Sequence, residues 1–201
     1  MRGNSKINKV TNVEHKGFIV DICYDEYMCS PRETSNIGTM LCFHKSLYLP
    51  KECSFFKSDD YNSWDELKDD IIKKMDVPAI LPIYEYNHSG VSISTMKFNS
   101  TWDSCQVGFI FAVKEDVDKW FEWEEITEER RNKLKDFLLE EVEMYNKYLL
   151  GKVYRYEISY LGEVLRQENN LFEEPEFIVE KAKRKIDDYV KYLPWYDKGC
   201  S

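Results

Sequence analysis

The chain has 201 residues, 43% of them hydrophobic and 15% aromatic, and a formal net charge of −9. This is the composition of a folded globular protein with a real core, outside the disordered range. No window approaches about 18 consecutive apolar residues, so no membrane span is expected, and an acidic surface repels phosphate, which disfavours direct nucleic-acid binding.

The first residues carry basic side chains with no apolar run behind them, so no signal peptide is expected, and residues 1–16 read as a polar, flexible lead. Gly17 to Tyr24 is a predicted strand. The polar loop Asp25 to Asn36 separates it from a second strand, Gly38 to His44. After a longer connection, Ser63 stands three residues before Glu66, the spacing of a capping box. The helix it opens runs from Trp64 to Met75, with Trp64, Leu67, Ile71 and Met75 on one stripe and Pro78 beyond its end.

Three strands in succession are then expected: Ile80 to Tyr86, Val91 to Phe98 and Gln106 to Val113. Asn87 to Gly90 supplies hairpin-turn chemistry between the first two. A short helix is expected over Glu115 to Trp123. A longer one, capped by Thr127, runs to about Leu150 and is closed by Gly151, its apolar positions Leu134, Phe137, Leu138, Leu139, Val142, Tyr145, Tyr148 and Leu149 keeping a helical period. Val153 to Tyr160 alternates as a strand, and Leu161-Gly162 turns it into Glu163 to Gln167. Pro175 opens a last helix, Glu176 to Leu193. With no repeat or clear linker, this order predicts one α+β domain over residues 1–201, an antiparallel sheet with helices on one face.

Tyr86-Asn87-His88-Ser89-Gly90, followed by Trp102-Asp103-Ser104-Cys105-Gln106-Val107-Gly108, resembles a motif pair of a family of short bacteriophage and mobile-element proteins. In that family an aromatic-Asp-His-Ser-Gly hairpin precedes Trp-Asp-Ser-Gly-Gln-Val-Gly. The similarity continues through Glu143 to Tyr156, covers the middle half of the chain, and leaves out residues 1–75 and the last helix. Asn87 replaces the usual Asp and Cys105 the usual Gly. The resemblance implies a phage-like origin and carries no established activity; the roles of His88, Ser89, Trp102, Asp103, Ser104 and Gln106 stay open.

Those residue types include the ingredients of nucleophilic chemistry, yet the two polar connections would lie at opposite ends of the middle strand. An eight-residue strand spans about 25 Å, whereas a nucleophile and its base must come within about 3 Å. Asn87 and Gly90 also suit a turn, and Asp103 and Ser104 a local backbone corner with Trp102 buried. No catalytic residue is assigned. Six cysteines without a CxxC pair read as free thiols of a reducing, cytoplasmic compartment. Cys23, Cys29, Cys42, His44 and Cys53 fit no zinc module by spacing, so neither metal nor cofactor is assigned. His15 is expected to be exposed.

The sharpest charge feature is residues 115–129, where eight acids face only Lys119. Acids at a helix start are favoured by its dipole, so a solvated helix face is the plain account. The functional account is a surface for a basic protein, built from Glu115, Asp116, Asp118, Glu122, Glu124 and Glu125, with Trp120 and Trp123 as apolar anchors. Tyr24, Tyr27 and Met28, in an acidic loop, are the other candidates. With the resemblance, these features suggest a phage-derived inhibitor of a bacterial defence protein that presents a basic surface. The alternatives are a small hydrolase or nucleotide-processing enzyme using loops 87–90 and 102–106, and a self-assembling accessory phage protein.

Overall fold

The computed structural model describes residues 8–43, 49–87, 90–99 and 104–192. The first half of the chain forms β1 (Lys9–His15), β2 (Phe18–Tyr24), β3 (Gly38–Cys42), α1 (Trp64–Met75), β4 (Ala79–Asn87) and β5 (Val91–Ser94). The second half forms β6 (Ser104–Ala112), α2 (Lys114–Trp120), α3 (Glu128–Leu149), β7 (Tyr154–Tyr160), β8 (Glu163–Leu171) and α4 (Pro175–Lys191). The α+β class holds, with the strands divided between two four-stranded antiparallel sheets where the sequence suggested one. Each sheet belongs to its own compact unit: Met1–Cys29 with Gly151–Ser201, and Ser30–Leu150.

The first unit orders its strands β1-β2-β7-β8. Its two hairpins share one turn chemistry: Lys16 and Gly17 (φ 51° and 76°), and Leu161 and Gly162 (φ 50° and 86°), are pairs of positive-φ residues. Such two-residue turns match the twist of the strands they join. Residues 9–15, expected to be part of a flexible lead, are therefore the first arm of a hairpin. Phe18, Val20, Ile22, Tyr154, Tyr156 and Ile158 bury one face of the sheet against Ile178, Val179, Ala182 and Ile186 of α4. His15 is not a free surface group. Its ring meets Asp187 of α4 at 2.8 Å, and Lys16 meets the same carboxylate at 2.8 Å. Lys16 and His15 together pull the Asp187 carboxyl down to about 2.

In the second unit the order is β3-β6-β4-β5. Helices cover both faces of this sheet, not one. Met40, Ile83, Ile110 and Ala112 meet Leu134, Leu138 and Val142 of α3. On the other face Leu41, Phe109 and Phe111 meet Leu67 and Ile71 of α1. That is why Val107 to Ala112 reads as an unbroken apolar run, as a strand covered on both sides must. Helix ends follow the sequence closely. Ser63 Oγ accepts from Glu66 N, Thr127 Oγ1 accepts from Arg130 N, and Gly151 takes φ 66° just past α3.

Gly108 is the tightest point of the sheet. Ile83 pairs with Gly108 and Tyr84 with Gln106, which leaves Val107 as the extra residue of a bulge. A Cβ on Gly108 would lie 1.9 Å from the carbonyl oxygen of Leu41, so β3 can close on β6 only over a residue without a side chain. Gly108→Ala should destabilise the protein by about 2 kcal/mol or more, the scale of overpacking in a filled core. Urea unfolding measures this, and a variant as stable as the parent would show that β3 does not sit so close.

Candidate functional site

The described residues that flank the two motif halves lie at one end of the second sheet. β5 stops at Ser94, not Phe98, because Ser94 Oγ accepts from Met96 N and bends the chain away from the ladder. β4 lies between β5 and β6, pairing Asn87 with Val91 on one side and Tyr86 with Ser104 on the other. The described flanks of both polar connections therefore share one end of the sheet, and the separation expected from an eight-residue middle strand does not arise between them. His88, Ser89, Trp102 and Asp103 lie outside the described residues, so the expected burial of Trp102 and the corner at Asp103 lie outside them too.

Among the described motif residues, chemistry is muted. Glu85 of β4, beside the motif, is only 2% exposed and pairs with Cys105 on β6 and with Ile93 on β5. Desolvation first, and the Glu85 charge second, push the Cys105 thiol up, which disfavours the nucleophilic thiolate. Gln106 reaches the Gly108 carbonyl at 3.4 Å, a role within its own strand.

A charged network that the sequence did not announce sits on the outer edge of β3, along which residues 50–52 also bond through the backbone. Ser30 caps a short turn, Pro31–Glu33, and turns Arg32 inward, where its side chain is 7% exposed. The guanidinium meets Glu141 of α3 at 2.7 Å and Glu52 at 2.7–2.8 Å, and donates to the Gly38 carbonyl. The carboxylates finish the edge: Glu141 accepts from Ile37 N and Gly38 N, and Glu52 from Met40 N. Burial opposes charge on Arg32, but the two carboxylates win and raise it further above its ordinary value. Every group points at a partner inside the unit, so the network is an edge seal, built as a solvent-exposed strand edge requires. No single residue type along the sequence signals it, since its members are 109 and 20 residues apart. Beneath it, burial pushes Cys42 up to about 12, with Glu52 and Glu85 adding to the effect.

The acidic segment divides in two. On α2, Lys114 pairs with Asp118 at 2.7 Å, and Lys119 with Glu115 and Asp116 at 3.0 and 3.1 Å. Three of the expected contact acids thus face lysines of their own helix. Glu122, Glu124 and Glu125 are exposed on the connection to α3. Trp120 is 51% exposed. Trp123, expected as an exposed anchor, is half-buried and stacked on Phe121 (4.3 Å between ring centroids, 12° between planes), and Phe121 stacks in turn on Phe137. Arg130 lies over the Trp123 ring, and Lys133 lies over all three rings. Arg130 also donates to the Glu125 carbonyl at 2.6 Å, so the connection is fixed from both sides. The Lys133–Phe137 spacing of four was the available sign of this platform.

In the first unit, Tyr27 is 87% exposed, while Tyr24 stacks on Tyr154. Their loop is pinned. Asp25 is buried, accepting from Tyr27 N at 3.0 Å and Asn170 N at 2.8 Å, and Cys29 N donates to the Asn170 side chain. The acid that looked like loop polarity is the loop's internal tie.

Among the described residues no group of three His, Cys, Asp or Glu side chains is placed to hold a metal ion, and His44 lies outside them. Nor is any described helix long and apolar enough to cross a membrane. No family model, no curated protein and no solved structure matches the chain.

Two outcomes follow from the buried groups. Arg32→Leu should destabilise the protein by about 3 kcal/mol, because Glu141 is left buried without its cation, and Arg32→Leu/Glu141→Leu should recover part of the loss. Urea unfolding of the three proteins decides it; an unchanged single variant would dismiss the seal. Alkylation at pH 8 with peptide mapping should modify Cys29, which is exposed, and reach Cys23 and Cys42, which are buried, only after unfolding.

Proposed function

We propose that the protein acts by binding another protein, and that residues 115–125 form the contact surface for a basic partner. The observation that carries this is the fixed connection after α2: exposed Glu122, Glu124 and Glu125 stand beside exposed Trp120, over the Phe121–Trp123–Phe137 stack. A rigid acidic strip loses little conformational freedom on binding, and a neighbouring exposed indole offers apolar anchorage. Because Glu115, Asp116 and Asp118 already face lysines, the weight of the charge falls on the three connection glutamates. Tyr24 and Tyr27 are a separate candidate patch on the first unit.

In its narrower form the proposal makes the partner a bacterial defence protein and this chain its phage-derived inhibitor, acting in the host cytoplasm with acids standing in for phosphates. Support for the narrower form is the motif resemblance together with the free thiols among the described residues. A second reading, an enzyme using loops 87–90 and 102–106, gains from the shared sheet end of Asn87, Val91 and Ser104. The raised Cys105 thiol weighs against it. Self-association is the third reading.

The experiment is a pull-down from a bacterial lysate followed by binding measurements on the captured partner at two salt concentrations. Glu122→Lys, Glu124→Lys and Glu125→Lys together should slow association and weaken binding at low salt while moving stability by only about half a kcal/mol. Unchanged affinity at both salts would remove the acidic strip from the mechanism and leave Tyr24 and Tyr27.

A further inference from the structure

We propose that the groove between α4 and the β7–β8 hairpin, within the first unit, binds a small amphipathic monoanion such as an aromatic or medium-chain carboxylate. The groove has a volume of about 410 Å³, inside the roughly 300–1,000 Å³ range of small-molecule sites. Its floor is the buried core face formed by Phe18, Ile158 and Ile186, and its apolar walls are Leu165 of β8 and Tyr189 of α4. Leu165 and Tyr189 stay about half in water, so an apolar body between them would remove their surface from solvent.

The polar rim selects the ligand's charge. Arg166 stands on the β8 wall and Lys185 on the α4 wall. Glu168 holds Arg166 through Nε and Nη2 at 3.1 and 2.7 Å, which fixes the guanidinium plane before any ligand arrives. Lys185 carries no ion pair among the described residues. The rim's one acid, Asp188, is engaged by Lys191 at 2.9 Å. Two cations therefore face the opening, while Glu168 and Asp188 close by limit the charge that can enter. A carboxylate or sulfonate fits this balance, and a polyphosphate does not. The site is independent of the acidic strip, so its success or failure leaves the protein-binding proposal untouched.

The probe is anilinonaphthalene sulfonate, an anionic amphipath whose fluorescence rises in apolar surroundings, titrated into the full chain with near-ultraviolet dichroism confirming the native fold. One saturable site is expected, displaced by decanoate and about tenfold less well by decanol, since the lost charge-assisted bond is worth about that factor. Lys185→Glu should weaken the probe about tenfold or more with an unchanged thermal transition, because the reversed charge faces the anion directly. Leu165→Trp should fill the groove and abolish binding. Absence of saturable binding, equal displacement by decanoate and decanol, or unchanged affinity in Lys185→Glu would each overturn the assignment. Lys185 is a surface residue, so that arm survives if Leu165→Trp fails to fold.

Discussion

The second unit depends on one buried guanidinium. Arg32 enters two residues after the unit begins and ends against Glu141, nine residues before it closes, with Glu52 between them in sequence. A long-range polar contact of this kind must offset the desolvation of three charges, and it does so only because the remaining lone pairs are used: Glu141 takes two backbone N–H groups and Glu52 one. The result is specific as well as cohesive. The edge of β3 can hold this register only when Gly38 lies under α3, where a Cβ would meet the Glu141 carboxylate and the Leu138 and Ile110 methyl groups at 2.7–2.8 Å. Gly38, Gly108 and Arg32 thus act on the same strand from three sides, one leaving room for the helix, one for the neighbouring strand and one satisfying the edge.

The first unit poses the opposite problem. Its sheet is completed by β2 pairing with β7 from Ile19↔Ser159 to Tyr24↔Tyr154, segments separated by the whole of the second unit. Loop-closure entropy grows slowly with length, about 0.6 kcal/mol per doubling, so the inserted unit is thermodynamically tolerable. The cost falls on kinetics, because the β2–β7 pairing that joins the two local hairpins is non-local. Asp25 helps to finish the join: its backbone N–H donates to the Val153 carbonyl, and its carboxylate accepts from Asn170 N. That one side chain ties the end of β2 to the far strand of the sheet.

What could be read in the sequence is what local chemistry decides. Ser63 with Glu66, Thr127, Gly151 and Pro175 mark helix ends because capping and backbone conformation act within a few residues. The strands β4 and β6 were legible from apolar runs. β1 was hidden by its polar alternation, and the far half of β8 because only Leu171 at its end is buried. The early stop of β5 rests on a hydroxyl–backbone bond at Ser94, and the bulge at Val107 on the approach of β3, neither visible in a hydrophobic pattern. Strand order was the larger loss. Three consecutive strands suggest a meander, in which the motif's halves part; placing β4 between β5 and β6 brings their flanks to one end. The Arg32 network was invisible for a related reason, since its residues become neighbours only once the fold exists.

Charge shows most clearly why composition and surface differ. A net charge of −9 describes the whole chain, but the acids are spent unevenly. Glu141, Glu52 and Asp25 serve backbone groups; Asp118, Glu115 and Asp116 face lysines one turn away; Asp187 anchors His15 and Lys16. Each of these carboxylates is committed within its own unit before any partner arrives, and an ion pair must be broken or shared before such an acid can serve an interface. Glu122, Glu124 and Glu125 differ by standing on a connection fixed by Arg130 and the aromatic stack beneath it. Their positions are set without their carboxylates being used to set them. That separation of scaffold from charge distinguishes this strip from the acids of α2, and it is the ground on which the strip is proposed as the contact surface.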